Sequence, residues 1–271
     1  RWEAVVGLLS NESFPEFLRV FWNSRHKLVR KNELFKTIRQ AVSSRGQVFA
    51  LIRDLDNNAR TYAALRTPQD TFWQPQERHA LQQLRTFNVR QPFALLLTAF
   101  DHFEEKDRTG FTQILRAIST ISFRYNVICG LPSNEQEKVY NDIAVQIAKG
   151  VFSSSHEVIA ALRPIYPEDK VFMAAFADKS LKTTSSRNKQ VVRYILFELE
   201  RSCSGSSYDI ENAESTIEHI LPEHPEQGWD AFDNQQHAHT VYRLGNMTLL
   251  SARHNRDLGN APYHKKQTIY T

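Results

Sequence analysis

Three polar residues in the C-terminal part of the chain, His219, Asn246 and Asn255, have types that suit phosphodiester hydrolysis. This reaction needs a water molecule that loses a proton near neutral pH. Histidine, with an unperturbed pKa of about 6.5, is the side chain best suited to accept that proton. We therefore interpret His219 as a general base and Asn246 as the group that orients its imidazole ring.

The reacting phosphate also needs a cation, and Asn255 is the candidate ligand. Amide and carboxylate oxygens favour Mg²⁺ or Mn²⁺ over zinc, and few protein ligands leave positions open for phosphate and water. Glu218 is a second candidate ligand. Because neighbouring strand residues point to opposite faces, Glu218 and His219 can share a metal only if the strand bends or ends there, and Pro222 favours an early end.

The elements that must position these residues are short. Residues 216–222 are β-prone and are closed by a proline, and residues 244–250 form a second such run that is entered through a glycine. Ser251 is placed to cap a helix that carries Asn255 and stops at Gly259. This order of strand, loop, strand and helix resembles the ββα-metal, or HNH-type, nuclease site.

Four stretches make the resemblance specific: Glu218–Pro222 (EHILP), Arg243–Leu250 (RLGNMTLL), His254–Asn260 (HNRDLGN) and Lys265. Together they resemble the C-terminal nuclease domain of the GmrSD and SspE group of bacterial anti-phage restriction proteins. The resemblance implies DNA as the substrate and Lys265 as a basic residue that contacts phosphate. Many HNH sites have Asp before the histidine where this chain has Glu218, so the ligand role of Glu218 stays open.

The same resemblance bears on the rest of the chain. In the family, an N-terminal NTPase-like domain related to ParB precedes a helical region, and residues 1–205 are similar to that helical region. No NTPase-like domain is recognisable in this sequence, and Arg1 is not a natural start. We therefore expect a C-terminal fragment whose missing N-terminal domain is a partner that supplies sequence specificity.

Composition limits the class of protein. The chain has 271 residues, of which 41% are hydrophobic, so a sizeable core is expected. No apolar run is long enough to span a membrane, and no signal peptide is visible. The two cysteines, Cys129 and Cys203, form no CxxC pair, which argues against a Cys₄ zinc site or a disulfide scaffold. A bacterial cytoplasm is the expected compartment.

Charge is unevenly distributed. From Ser206 onward there are five Lys or Arg and nine Asp or Glu, a balance of −4, and the preceding residues hold the other 29 and 21, a balance of +8. An acidic C-terminal part suits a divalent cation, while DNA backbone binding would fall to basic residues elsewhere. The candidate phosphate contacts are Arg187 and Lys189 in a basic loop, Arg253 and Arg256 on the short helix, and Lys265.

Helical periodicity dominates the first two hundred residues, and the stretch Cys203–Ser207 is the most linker-like. We therefore predict a mainly α protein with an irregular helical domain over residues 1–205. A small ββα-metal (HNH) module follows over residues 206–271. His237 and His239 are predicted to lie in the loop of that module, outside the metal site.

The function that fits these residues best is a metal-dependent DNA endonuclease of a phage-restriction protein. Because HNH modules cut one strand per site, a single module is predicted to nick. One alternative is a ribonuclease with the same site chemistry. The other is a non-catalytic helical regulatory module that carries a degenerate nuclease remnant.

Overall fold

A computed structural model describes residues 2–9, 14–205 and 214–270, except for the side chains of Trp2 and Ala4. The fold is mainly α-helical, as predicted. The chain forms two compact units, Arg1–Glu168 and Asp169–Thr271. This division lies ahead of the predicted boundary at residue 205, so the helix before that boundary belongs to the C-terminal unit. In the described ranges, no helix combines the length and the apolar character needed to cross a membrane.

Nine α-helices are described in the N-terminal unit. They are α1 (Trp2–Leu8), α2 (Phe14–Asn23), α3 (Lys31–Ala41), α4 (Arg45–Arg66), α5 (Pro75–Phe87), α6 (Phe93–Phe103), α7 (Arg108–Ser122), α8 (Ser133–Ala148) and α9 (Ser155–Ala161). Helix α7 continues into a π-helical turn, Phe123–Ile128, and a 3₁₀ turn, Arg163–Ile165, follows α9. Local signals set several starts: Ser44 and Ser154 form capping boxes, and Pro75 occupies the first turn of α5.

The core of this unit is built around α6, which packs against α2, α4, α7 and α8. Nine of its eleven residues are buried, as expected for a helix in which eight of the eleven residues are apolar. Next to it, the buried Glu77 carboxylate accepts hydrogen bonds from the Arg108 guanidinium at 2.6 and 2.7 Å and from the Thr112 hydroxyl at 3.0 Å. These partners compensate the cost of burying the charge, so the cluster has a structural role.

The C-terminal unit combines five α-helices with two strands in its described residues. They are α10 (Asp169–Ala177), α11 (Ser186–Ser204), β1 (Ser215–His219), α12 (Asn234–Thr240), β2 (Met247–Ser251), α13 (Ala252–Leu258) and α14 (Tyr263–Tyr270). Cys203 and Ser204, predicted as linker, form the last turn of α11, which ends at Gly205 in a left-handed conformation. Ser206 and Ser207 lie outside the described residues.

The two strands form an antiparallel pair in which Ser215 faces Ser251 and His219 faces Met247. Both α11 and α13 pack against the strands. Strand β1 ends at His219, in agreement with the early end that Pro222 favours. Helix α13 starts and stops as predicted, because the Ser251 hydroxyl accepts the His254 backbone N–H at 3.2 Å and Gly259 follows the last turn.

The segment between the strands differs from the prediction. Asp233 caps α12 and accepts the N–H groups of Gln235 and Gln236, so His237 and His239 lie on a helix and not in a loop. Residues 179–181 then pair with residues 242–244 through a bridge and two backbone hydrogen bonds of 2.8 Å. This pairing brings the loop before α11 next to the end of β1.

Candidate active site

His219 is the last residue of β1, and its side chain is 14% exposed. Its Nε2 atom lies 3.2 Å from the Thr183 hydroxyl, which the pairing of residues 179–181 with residues 242–244 holds nearby. The Tyr242 ring meets the imidazole edge to face, with ring centroids 6.0 Å apart. The imidazole is therefore held by residues that are distant in sequence.

The Thr183 hydroxyl links His219 to Glu223. It donates to the Glu223 carboxylate at 3.2 Å, and a hydroxyl has a single proton to donate. In its contact with His219, the Thr183 hydroxyl must then accept a hydrogen bond from Nε2. The imidazole therefore carries its proton on Nε2 and has a lone pair on Nδ1. Within the described ranges, Nδ1 has no hydrogen-bond partner, and it is the atom available to accept a proton.

Burial lowers the pKa of His219 below its usual value, because the imidazolium loses hydration. The neighbouring carboxylates of Glu223 and Glu218 act in the opposite direction, and Lys266 reinforces the decrease. The net decrease leaves His219 neutral near pH 7, which is the form a general base requires.

Glu223 and Tyr242 complete the surroundings of the imidazole. The Glu223 Oε1 atom lies 3.9 Å from His219 Nε2, close enough to stabilise a positive charge on the ring. Burial, followed by the Glu223 carboxylate, raises the pKa of Tyr242, so its phenol stays protonated. His219 can thus take up a proton while the Glu223 carboxylate lies beside it, an arrangement typical of acid–base catalysis.

Asn246 was predicted to orient His219, but the structure gives its side chain other partners. Its Oδ1 accepts the Leu221 N–H at 2.8 Å, and its Nδ2 donates to the carbonyls of Leu221 and Val241 at 2.9 and 3.0 Å. Its own carbonyl accepts the Ile220 N–H at 2.9 Å. Asn246 therefore fixes the backbone that directly follows His219, and Thr183 is the residue that hydrogen-bonds to the ring.

Asn255 projects from α13 towards β1. Its Nδ2 donates to the Thr216 hydroxyl at 2.8 Å and to the Ile217 carbonyl at 2.9 Å. These two bonds fix the amide, and its Oδ1 accepts no hydrogen bond from the described residues. The side chain consequently presents an oriented oxygen of the kind that Mg²⁺ and Mn²⁺ bind.

Glu218, the second candidate metal ligand, is engaged elsewhere. Its carboxylate is 4% exposed, and its Oε1 lies 2.7 Å from the fully buried Lys266 ammonium and accepts the Tyr270 hydroxyl at 2.9 Å. Because an ammonium already neutralises this carboxylate, the geometry favours a structural role for Glu218. In the part of the chain that the structure describes, no three His, Cys, Asp or Glu side chains converge to hold a metal.

The predicted phosphate contacts differ in their environment. Lys265 is exposed, whereas its neighbour Lys266, which the sequence did not single out, is buried and also donates to the His219 carbonyl at 2.8 Å. Arg253 and Arg256 are exposed on α13, where Arg253 lies 3.8 Å from Asp257. Arg187 and Lys189 are exposed in the first turn of α11 and not in a loop.

Four residues of this region were missed from sequence: Thr183, Glu223, Lys266 and Tyr270. Thr183 lies 36 positions from His219, and Tyr270 lies 52 positions from Glu218, the residues that they contact. Glu223 had a local signal, because it is the first acidic residue after His219. Lys265 and Lys266 are adjacent, and the sequence alone does not show which of the two is buried. Only the helical register of α14 distinguishes them.

Comparison with known proteins gives a family match for the C-terminal part of the chain. Residues 166–271, less than half of the chain, match the family model described as GmrSD restriction endonucleases, C-terminal domain. No curated protein and no solved structure matches the chain. The matched segment contains the whole site described above, and the resemblance drawn from the sequence motifs is confirmed for it: residues 166–271 match the C-terminal domain of the GmrSD restriction endonucleases.

Proposed function

We propose that the C-terminal unit is a metal-dependent DNA endonuclease of a restriction system and that His219 activates the attacking water. The observation that carries this proposal is the chain of contacts from Glu223 through Thr183 to His219 Nε2. It leaves Nδ1 as the proton-accepting atom on an imidazole that is neutral near pH 7. The family match, which indicates a restriction endonuclease-type nuclease, supports the choice of substrate.

In this mechanism, a water molecule beside Nδ1 transfers a proton to His219 as its oxygen attacks the phosphorus atom. The ring then becomes an imidazolium whose Nε2–H still donates to Thr183. The Glu223 carboxylate, 3.9 Å from Nε2, stabilises the new positive charge. General base catalysis of this kind contributes about 10²–10⁴-fold to a rate.

Asn255 is the residue proposed to hold Mg²⁺ or Mn²⁺, because its amide is oriented and its Oδ1 is available. The bound cation would neutralise the phosphate and the leaving oxygen. Glu218 is not part of this proposed ligand set, since its carboxylate pairs with Lys266. The bonds of Asn255 to Thr216 and Ile217 connect the proposed metal ligand to the strand that ends at the proposed base.

The exposed basic residues around the unit are proposed to bind the DNA backbone. Arg253 and Arg256 share α13 with Asn255, while Arg187 and Lys189 lie on α11. Contacts of this type bind phosphate without reading bases. One His219 in each chain can cut one strand at a time, so nicking is the proposed product.

Relaxation of a supercoiled plasmid tests this function directly. The full chain is incubated with Mg²⁺, with Mn²⁺ or with EDTA, and an RNA substrate is treated in parallel. Conversion to open circles that EDTA abolishes is the expected result. Cleavage of RNA alone would indicate the ribonuclease alternative, and cleavage of neither substrate would indicate a non-catalytic module.

A further inference from the structure

A cavity of about 380 Å³ is lined by residues that neighbour the proposed base in the chain. Its lining includes Ile220 and Leu221, which follow His219 in the chain, and Asn246. Because consecutive Cα atoms are about 3.8 Å apart, the wall of the cavity starts one residue from the proposed base. The Lys266 ammonium, which donates to the His219 carbonyl, also lies 5.9 Å from the centroid of the Trp229 ring in the cavity wall, so the cavity is close to the end of β1.

Aromatic side chains form much of the lining. Trp229 is buried and its Nε1 donates to the Asn260 carbonyl at 3.4 Å, so it is a fixed wall. Phe232 and Tyr263 are 39% and 50% exposed, although both are large and at least partly apolar. Exposed aromatic residues at the edge of a cavity are available to stack on a flat ligand.

The lining also indicates the charge of the ligand. It contains no Lys, Arg, Asp or Glu, and the Asn246 amide is already bonded to the backbone. Nearby acidic groups have local roles, since Asp233 caps α12 and Glu226 accepts from Asn260. An uncharged aromatic ring suits this cavity, and a phosphate does not.

We propose that the cavity binds an unpaired nucleobase of the DNA strand whose phosphodiester lies at His219. This proposal rests on the nuclease function proposed above and names the form of substrate that the site takes. A base can enter a cavity only when it leaves the base stack, which costs energy in a perfect duplex. The protein is therefore expected to bind single-stranded or mismatched DNA more tightly than a fully paired duplex.

The test compares two strands of equal length, one with bases and one with abasic sites throughout. Binding is followed by fluorescence anisotropy in a His219→Gln background, which leaves the strands uncut. The double substitution Phe232→Ala with Tyr263→Ala removes the exposed aromatic groups. Ile269→Ala is the matched control, because Ile269 is an exposed apolar residue on the same helix as Tyr263 and does not line the cavity.

The His219→Gln protein should bind the strand with bases more tightly than the abasic strand. The double substitution should weaken binding of the strand with bases by about 5–100-fold, the range expected for lost base–aromatic stacking, and leave the abasic strand unaffected. The Ile269→Ala protein should behave like its parent. Thermal melts followed by circular dichroism confirm that each variant is folded.

Equal binding of both strands would overturn the proposal, as would a double variant that binds like the Ile269→Ala control. Tighter binding of a perfect duplex or of an RNA strand would overturn the choice of unpaired DNA. Cleavage by the protein with native His219 is scored separately. Cleavage without aromatic-dependent binding contradicts only the cavity assignment, and aromatic-dependent binding without cleavage contradicts only the nuclease function.

Discussion

The Lys266 ammonium and the Glu218 carboxylate form an ion pair of 2.7 Å in which both side chains are almost completely buried. The same ammonium donates to the His219 carbonyl at 2.8 Å. Helix α14 is thereby fixed to the end of β1 at the residue proposed to be the base. A buried pair of this type specifies geometry, and the loss of either partner leaves an uncompensated charge.

Lys266→Met should therefore destabilise the C-terminal unit by about 3–5 kcal/mol, because Glu218 would remain buried without a cation. Lys265→Met is the matched control. Lys265 is exposed, and its substitution should change stability by no more than about 0.5 kcal/mol. Urea unfolding measures both free energies. Equal stabilities of the two variants would show that the ion pair contributes nothing to the fold.

Thr183→Val tests the contact that orients the imidazole. The valine preserves the shape of the side chain but removes the hydroxyl between His219 and Glu223, so we expect about a 10-fold lower rate of nicking, equivalent to one hydrogen bond. Thr184→Val, at the exposed neighbouring residue, should nick at the native rate. Single-turnover cleavage assays measure both rates. If the two variants nick equally fast, Thr183 does not orient His219.

The pH profile reports the protonation state of His219. Only the neutral ring accepts a proton, so kcat/KM should rise with pH and then reach a plateau. Because the pKa of His219 is lowered, the midpoint of this rise should lie below about pH 6.5, the ordinary pKa of histidine. Glu223→Gln removes a charge that raises the pKa of His219. The acid limb should then move to still lower pH, while the plateau falls because the imidazolium loses its carboxylate. A limb that moves to higher pH in this variant would contradict the assignment.

Helical periodicity predicted most of the fold because an apolar stripe at a spacing of 3.6 residues is a local property. The cap at Ser251, the stop at Gly259 and the end of β1 near Pro222 are local signals too, and all three agree with the structure. Helix α12 was missed because its sequence, NQQHAHT, is polar and has no apolar stripe. Its start is set by the capping box that Asp233 forms with Gln236.

The candidate site was harder to predict, since its contacts join distant parts of the chain. The residue types at His219 and Asn255 are the basis of the roles proposed for them, but nothing local showed that Thr183 reaches the imidazole. The partner of Glu218 depends on how α14 packs against the strand, which places Lys266 inside and Lys265 outside. The spacing of residues along the chain could not show that the Asn246 side chain hydrogen-bonds to the backbone of Leu221.

The basic residues at the start of α11 are a separate prediction. Reversing charge with Arg187→Glu and Lys189→Glu should weaken DNA binding and reduce the slope of log K against log salt, because fewer counterions are released. Lys170→Glu, an exposed lysine on α10, is the control with a reversed charge elsewhere in the unit. Titrations over a range of salt concentrations measure both quantities. An unchanged affinity and slope would exclude this surface from DNA binding.

His219 is proposed to activate water while Asn255 holds the metal, and a nicking time course across a Mn²⁺ titration distinguishes these two roles. His219→Ala should lower the rate by about 10²–10⁴-fold at every metal concentration. The defect of Asn255→Ala should shrink as Mn²⁺ is raised, because a lost ligand weakens metal binding. Circular dichroism melts verify that both variants fold. If folded His219→Ala nicks supercoiled plasmid at near the native rate, the assignment of the site is wrong.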